Sequence, residues 1–269
     1  MKYYTLIFVF ALSAIISHML KTTKIPHLYS PINNIPHNGG IAIFIGLMVG
    51  NCIFSNTIIL PLCIMIFSLG LLDDIICLKW HNKLLAQTII CIYVQSTGWH
   101  LQWFDNVWMD NLVGLIWLVG LTNSFNLLDN MDGLCGGTVI IISWGVFVIT
   151  GDWNLLIVIM AVGGFIIYNY PKGSLWMGDG GSLLLGLLMA VKMGELHKVN
   201  TSLWLMLLPI LDTTFVIIRR LWVGKKPWRG GTDHLSHWLV QLGLNNHQAV
   251  LTLWSISLLA TLKGIGENP

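Results

Sequence analysis

The sequence predicts an all-α, polytopic integral membrane protein of about ten transmembrane helices, one domain over residues 1–269 with its active site at the cytoplasmic face. Three observations carry this expectation. The 269 residues are 55% hydrophobic and 10% charged, with a mean hydropathy of +0.73, well outside the soluble range. Apolar runs recur along the chain, at about 3–20, 39–54, 57–72, 83–98, 111–126, 134–150, 154–169, 180–193, 201–220 and 247–263. Lys and Arg are shared unequally between alternate loops. Ten of the 14 fall on one side: Lys21, Lys24, Lys79, Lys83, Lys172, Arg219, Arg220, Lys225, Lys226 and Arg229. Lys2, Lys192, Lys198 and Lys263 fall on the other. Positive charge marks the cytoplasmic side. The odd-numbered loops therefore face the cytoplasm, both termini face outward, and the protein is expected in the inner (plasma) membrane.

The first run follows only Lys2 and carries no cleavage signal, so it is expected to be a retained helix. Several of the runs are short for a span and are expected to tilt, break or shelter behind neighbours. None alternates polar and apolar residues as a barrel strand would. Trp99, Trp103, Trp108 and Trp153 gather on the outer side as an aromatic belt. Cys52, Cys63, Cys77, Cys91 and Cys135 show no CxxC spacing and lie mostly in apolar runs, as small core hydrophobes. A net charge of +2 gives no footprint for nucleic acid.

Acids at helix ends are the chemically telling feature, because a carboxylate stranded beside a bilayer is costly. Asp73 and Asp74 close the third run, and adjacent carboxylates repel unless a cation neutralises them. Taken alone, the pair fits a solvated helix end equally well. Asp129 and Asp132 are one helical turn apart, with Asn123 and Asn126 at the same spacing upstream. Gly133, Gly136 and Gly137 follow, and a loop of Asx turns is the competing reading. Asp179 lies in Met177-Gly178-Asp179-Gly180-Gly181-Ser182, a turn into a helix whose free N–H groups favour phosphate. An N-cap carboxylate is the simpler alternative. His234 and His237 are three apart and suit phosphate contact or acid–base work better than zinc, since no further Cys or His ligand lies nearby. They also fit a plain surface loop. Lys83 is placed to balance substrate phosphates, whereas Lys79 fits a positive-inside charge. The charge rule puts all these acids on the cytoplasmic side, with Asp233, and with Asp212 near the same end.

The ordered set resembles the polyprenyl-phosphate N-acetylhexosamine-1-phosphate transferases of glycosyltransferase family 4. The resemblance rests on Pro36-His37-Asn38-Gly39-Gly40, Gly70-Leu71-Leu72-Asp73-Asp74, the run from Asn123 through Asn126, Asp129 and Asp132 to Leu134, Met177-Gly178-Asp179-Gly180-Gly181-Ser182, Pro209-Ile210-Leu211-Asp212 and Asp233-His234-Leu235-Ser236-His237. It implies transfer of a sugar-1-phosphate from a UDP-N-acetylhexosamine to undecaprenyl phosphate, releasing UMP, as a first step of surface-glycan synthesis. It implies Mg²⁺, or Mn²⁺, held by Asp179 and Asp74. Asp73, Asp74, His234 and His237 take catalytic roles. Lys83, Asn123, Asn126, Asp129, Asp132 and Gly178 bind substrate. The short loop around residues 225–240 resembles the branch using small donors, so UDP-N-acetylglucosamine is the expected donor. A homodimer is a possible assembly.

The chain departs from the family pattern at Cys77, where a third aspartate is common, at Asn130, a usual glycine, and at Trp238, a usual basic residue. These departures leave room for an inactive scaffold. A cation-coupled transporter is the alternative from another class, although its acids belong near the bilayer midplane and within repeats, and no repeat is visible here.

Overall fold

Twelve α-helices and no strand make up the described part of this computed structural model, which covers residues 2–23, 28, 34–54, 60–228 and 230–267. Lys24, Arg229 and the opening of the third apolar run at 57–59 lie outside the described residues. In chain order the helices are α1 Lys2–Thr22, α2 Gly40–Phe54, α3 Leu60–Ile76, α4 Trp80–Ser96, α5 Val107–Leu128 and α6 Leu134–Thr150. Then follow α7 Trp153–Asn169, α8 Gly178–Gly194, α9 Val199–Leu205, α10 Leu207–Trp222, α11 Leu235–Gln241 and α12 Asn246–Gly266.

Within the described residues each of the ten apolar runs is helical, and one of them is broken. The ninth run is two helices, α9 and α10, bent by 70°. Pro209 supplies the reason, since it has no N–H to offer the carbonyl of Leu205, where α9 ends. Three helices, α1, α5 and α12, are long and apolar enough to cross a membrane alone, and the bent pair would make a fourth. α2, α6 and α7 are apolar but shorter. The polar stretch at 219–246, expected to be loop, contains α11. Seven residues are too few for an isolated helix; Leu235 and Leu239 hold it by packing on a second apolar cluster with Leu128, Leu134 and Val250.

α8 is the central post, with 15 of its 17 residues buried. It packs against α3, α5 and α2. Gly70 of α3 makes that contact possible, since a Cβ there would sit 2.4 Å from the Asp179 carbonyl oxygen. Gly40 of α2 meets the Gly181 backbone as closely. Two indoles hold the far end of α8: Trp99 Nε1 donates to the Val191 carbonyl (3.2 Å) and Trp117 Nε1 to that of Ala190 (3.0 Å). Lys192 pairs there with Asp152 (3.1 Å) and Glu195 (2.8 Å). Cys63, Cys91 and Cys135 are buried as expected, whereas Cys52 and Cys77 are exposed and correct that expectation.

The last turns of α3 and α5, the first turns of α4, α8 and α11, and Leu208 and Asp212 in the first half of α10 meet at one end of the bundle. In a cysteine-free background, Gly230→Cys at this end should be labelled from the cytoplasm only and Asp105→Cys from outside only. Labelling of both from one side would overturn the orientation taken from Lys and Arg.

Candidate active site

Four helix ends build the centre. Lys83, in the first turns of α4, lies between Asp73 of α3 (2.8 Å) and Asp179 of α8, which it also contacts. Its Nζ further reaches Asn126 Oδ1 of α5 at 3.4 Å. Asn126 in turn donates through Nδ2 to Asp179 Oδ1 (2.8 Å) and Ser182 Oγ (2.9 Å). An ammonium largely buried between two carboxylates is well compensated, and both acids are held in fixed positions. Asp73 is fixed again through Oδ1, which accepts the Leu78 N–H at 2.6 Å.

Asp74 does a different job. Its Oδ1 accepts the Asp179 N–H (2.8 Å) and its Oδ2 the Gly180 N–H (3.0 Å). The α8 N-terminus was expected to offer these N–H groups to phosphate; two of them are already taken, by a carboxylate from a helix in contact with it. Asp74 therefore seats α8, and with it Asp179.

Beside this cluster opens a cleft of about 370 Å³, walled by His37, Asp74, Asn126, Asp129, Asn130, Met131, Asp132, Asn169, Trp176, Gly178 and Asp179. Asp129, just past the end of α5, donates its backbone N–H to the Phe125 carbonyl (3.1 Å), and its carboxylate makes no hydrogen bond among the described residues. Burial, and then the charges of Asp179, Asp132 and Asp74, push its carboxyl well above the usual carboxylate range. Asp132 has both oxygens engaged, with the Gly173 N–H (2.8 Å) and the Trp176 indole N–H (3.1 Å). It fixes the cleft wall and presents the indole. His37 Nδ1 lies 3.7 Å from Asp74 Oδ1. Contact with Asp74 raises the His37 pKa above the ordinary imidazole value, against the burial that lowers it.

The histidine segment is held from below by α10. Asp212 Oδ2 meets His234 Nδ1 at 2.8 Å, and its Oδ1 accepts the Leu235 N–H at 2.8 Å; both side chains are buried. Two turns along the same face, buried Arg220 reaches Asp233 (3.2 Å) and the Pro227 carbonyl (2.7 Å). Burial raises the Asp233 pKa, but Arg220, Lys225 and Arg219 outweigh it and hold the carboxyl below its usual range. His237 is half-buried, its ring centre 6.2 Å from that of His234. Burial and the His234 charge together hold its pKa below 6.5. Neither histidine lines the cleft. Asn123 stands one turn from it, donating to Gln87 Oε1 (2.7 Å) and the Val119 carbonyl (2.8 Å).

The family model described as Glycosyl transferase family 4 matches residues 56–196, just over half of the chain. A probable undecaprenyl-phosphate N-acetylglucosaminyl 1-phosphate transferase of Bacillus subtilis (strain 168) is 32% identical over 260 residues, covering 86% of this chain and 72% of its own. The chain belongs to glycosyl transferase family 4. An undecaprenyl-phosphate alpha-N-acetylglucosaminyl 1-phosphate transferase of Thermotoga maritima is 28% identical, covering 87% of this chain and 77% of its own. A phospho-N-acetylmuramoyl-pentapeptide-transferase of Leuconostoc mesenteroides is 29% identical over 70% of this chain and 64% of its own.

The family 4 match spans Asp73, Asp74, Lys83, Asn126, Asp129, Asp132 and Asp179, and stops before the histidine segment. Residue-level reading passed over His37 and Trp176, both on the cleft wall. His37 stands inside a motif that had been noticed, and Trp176 directly precedes another.

Proposed function

We propose that this chain transfers N-acetylhexosamine-1-phosphate from a UDP-sugar to undecaprenyl phosphate at the cytoplasmic membrane face. The observation that carries the proposal is the meeting of Asp73, Lys83, Asn126 and Asp179 beside a carboxylate-walled cleft, at one end of an apolar helix bundle. A nucleotide from the cytosol and a lipid phosphate from the bilayer have that surface in common. The position of the acids at a bundle end also favours this reading over a transporter, whose ion sites lie at mid-depth. A cleft of about 370 Å³ is within the size range of small-molecule sites.

In the reaction an oxygen of the lipid phosphate attacks the β-phosphorus of the donor. A new P–O bond forms, the bond from that phosphorus to the oxygen bridging it to the α-phosphate breaks, and UMP leaves with that oxygen. Asp73 and Asp74, the catalytic carboxylates implied by the family resemblance, have oxygens engaged by Lys83, Leu78 and the α8 backbone, whereas the Asp129 carboxylate lines the cleft without such a contact and is placed to meet a metal ion or a substrate phosphate. Asp132 holds the Trp176 indole, whose face offers a stacking surface for a donor ring. Lys83 holds Asp179 and Asp73 in place and offsets phosphate charge. His237, neutral at pH 7, is suited to accept a hydrogen bond or a proton.

Oxygen-rich walls fit Mg²⁺ or Mn²⁺. Among the described residues no three His, Cys, Asp or Glu groups form a ready-made metal cage. Mg²⁺ needs only one or two carboxylates, with water and substrate phosphates completing its shell. Asp129 and Asp179 would hold it, with Asp74 behind them. The ion would supply charge neutralisation between two phosphorylated substrates.

Purified protein given UDP-N-acetylglucosamine and UDP-N-acetylmuramoyl-pentapeptide in competition should turn over the first. Turnover of the pentapeptide donor alone would show that the small-donor assignment is wrong.

A further inference from the structure

The helix that carries His237 is short and does not line the cleft, so something must fix its distance from the substrates. α10 holds its start, through Asp212 on His234 and the Leu235 N–H. Those contacts orient α11 relative to α10 but do not tie it to the cleft. Two side chains do. Ser236, fully buried, donates its hydroxyl to Asn130 Oδ1. Asn130 is itself part of the cleft wall. Its amide is fixed from the other side, where Nδ2 donates to the Leu127 carbonyl at 2.8 Å. With Nδ2 committed to the end of α5, Oδ1 is the atom left to face α11, and Ser236 is the residue immediately before His237.

We propose that Asn130 and Ser236 form a latch that sets the position of His237 relative to the substrate cleft, which makes both of them positioning residues for the transfer step. The latch rests on the transferase reading above. Asn130 stands one residue beyond Asp129 and two before Asp132, so the latch also joins the histidine segment to the loop that carries the cleft's free carboxyl. Without it, α11 is left with its α10 contacts and the apolar seat of Leu235 and Leu239 against Leu128 and Leu134, which is non-directional and leaves no hydrogen bond from α11 to the cleft wall. Misplacement of a catalytic group by about 1 Å costs up to roughly 10²-fold in rate.

The test is a double-mutant cycle on the purified protein in detergent or nanodiscs. Asn130→Ala and Ser236→Ala should each lower kcat about tenfold or more, with the donor KM within about twofold of wild type. The double variant should be no slower than the slower single variant, because both changes break one bond. Ser236→Thr keeps the hydroxyl and should retain most of kcat. Unchanged kcat in the alanine variants, losses that multiply in the double variant, a change in KM alone, or Ser236→Thr as slow as Ser236→Ala would each overturn the latch. If the alanine variants do not fold, Ser236→Thr and Ser236→Cys decide: near-wild-type kcat for the first and a clear loss for the second support it, and equal rates overturn it. Failure of wild-type protein to transfer any sugar-phosphate would instead overturn the transferase reading on which the latch depends.

Discussion

Asp179→Asn should abolish measurable turnover while the protein still accumulates, folded, in membranes. Asp179 is where the site's elements meet: it accepts from Lys83 of α4 and from Asn126 of α5, while its backbone N–H seats on Asp74 of α3. Asparagine keeps the volume and one acceptor, so the packing of α8 against Gly70 and Gly40 is preserved. What disappears is the negative charge, and with it the strongest candidate for holding a divalent ion together with Asp129. Removing one group that stabilises transition-state charge costs about 10²–10³ in rate, and removing an ion with it costs more. UMP release from solubilised membranes, normalised to the amount of folded protein, is the measurement. Activity within tenfold of wild type would remove Asp179 from the centre of the site.

Lys83→Met should damage both activity and stability. Lys83 and Asp73 are largely buried at their side chains, 14% and 11% exposed, and Asp179 is 32% exposed. Taking away the cation leaves two facing carboxylates with nothing between them, and breaking a buried pair by removing one partner costs about 3–5 kcal/mol. The variant should therefore melt well below wild type and turn over at least about tenfold more slowly. Mg²⁺ should raise its Tm more than that of wild type, since a divalent ion can stand in for the missing charge. A variant with unchanged Tm and turnover would mean that Lys83 is only a positive charge at a membrane surface.

Much of this architecture was legible in the residues, and what escaped did so for definite reasons. Long apolar runs gave α1, α5, α6, α7 and α12 within a few residues because burial and lipid both favour the same pattern. The break between α9 and α10 was hidden by continuous hydrophobicity, although Pro209 was in plain view. α11 was missed because it is only seven residues long within a polar stretch, and its stability comes from residues far away in sequence. The acidic motifs correctly gathered Asp73, Asp74, Asp129, Asp132 and Asp179 at one end. Their division of labour was not legible, because it depends on hydrogen bonds between residues that are scores of positions apart. Asp74 binds the backbone of α8 and Asp132 binds an indole, while Asp129 remains free. Asn123 shares the helical face of Asn126, but Gln87 and its own backbone claim its amide. The pairing of Asp212 with His234 crosses 22 positions and carries no local signal.

The most direct test of the central claim follows the β-phosphorus of the donor. Purified protein is incubated with undecaprenyl phosphate, Mg²⁺ and UDP-N-acetylglucosamine carrying ³²P at the β-position, and the lipid and aqueous phases are separated. The account predicts that label enters the lipid phase in step with UMP release, one for one. It also predicts that EDTA stops both and that added Mg²⁺ restores both. Label remaining in the aqueous phase as UDP, with sugar alone in the lipid, would mean that the cleft transfers a sugar and not a sugar-phosphate, and would contradict the account.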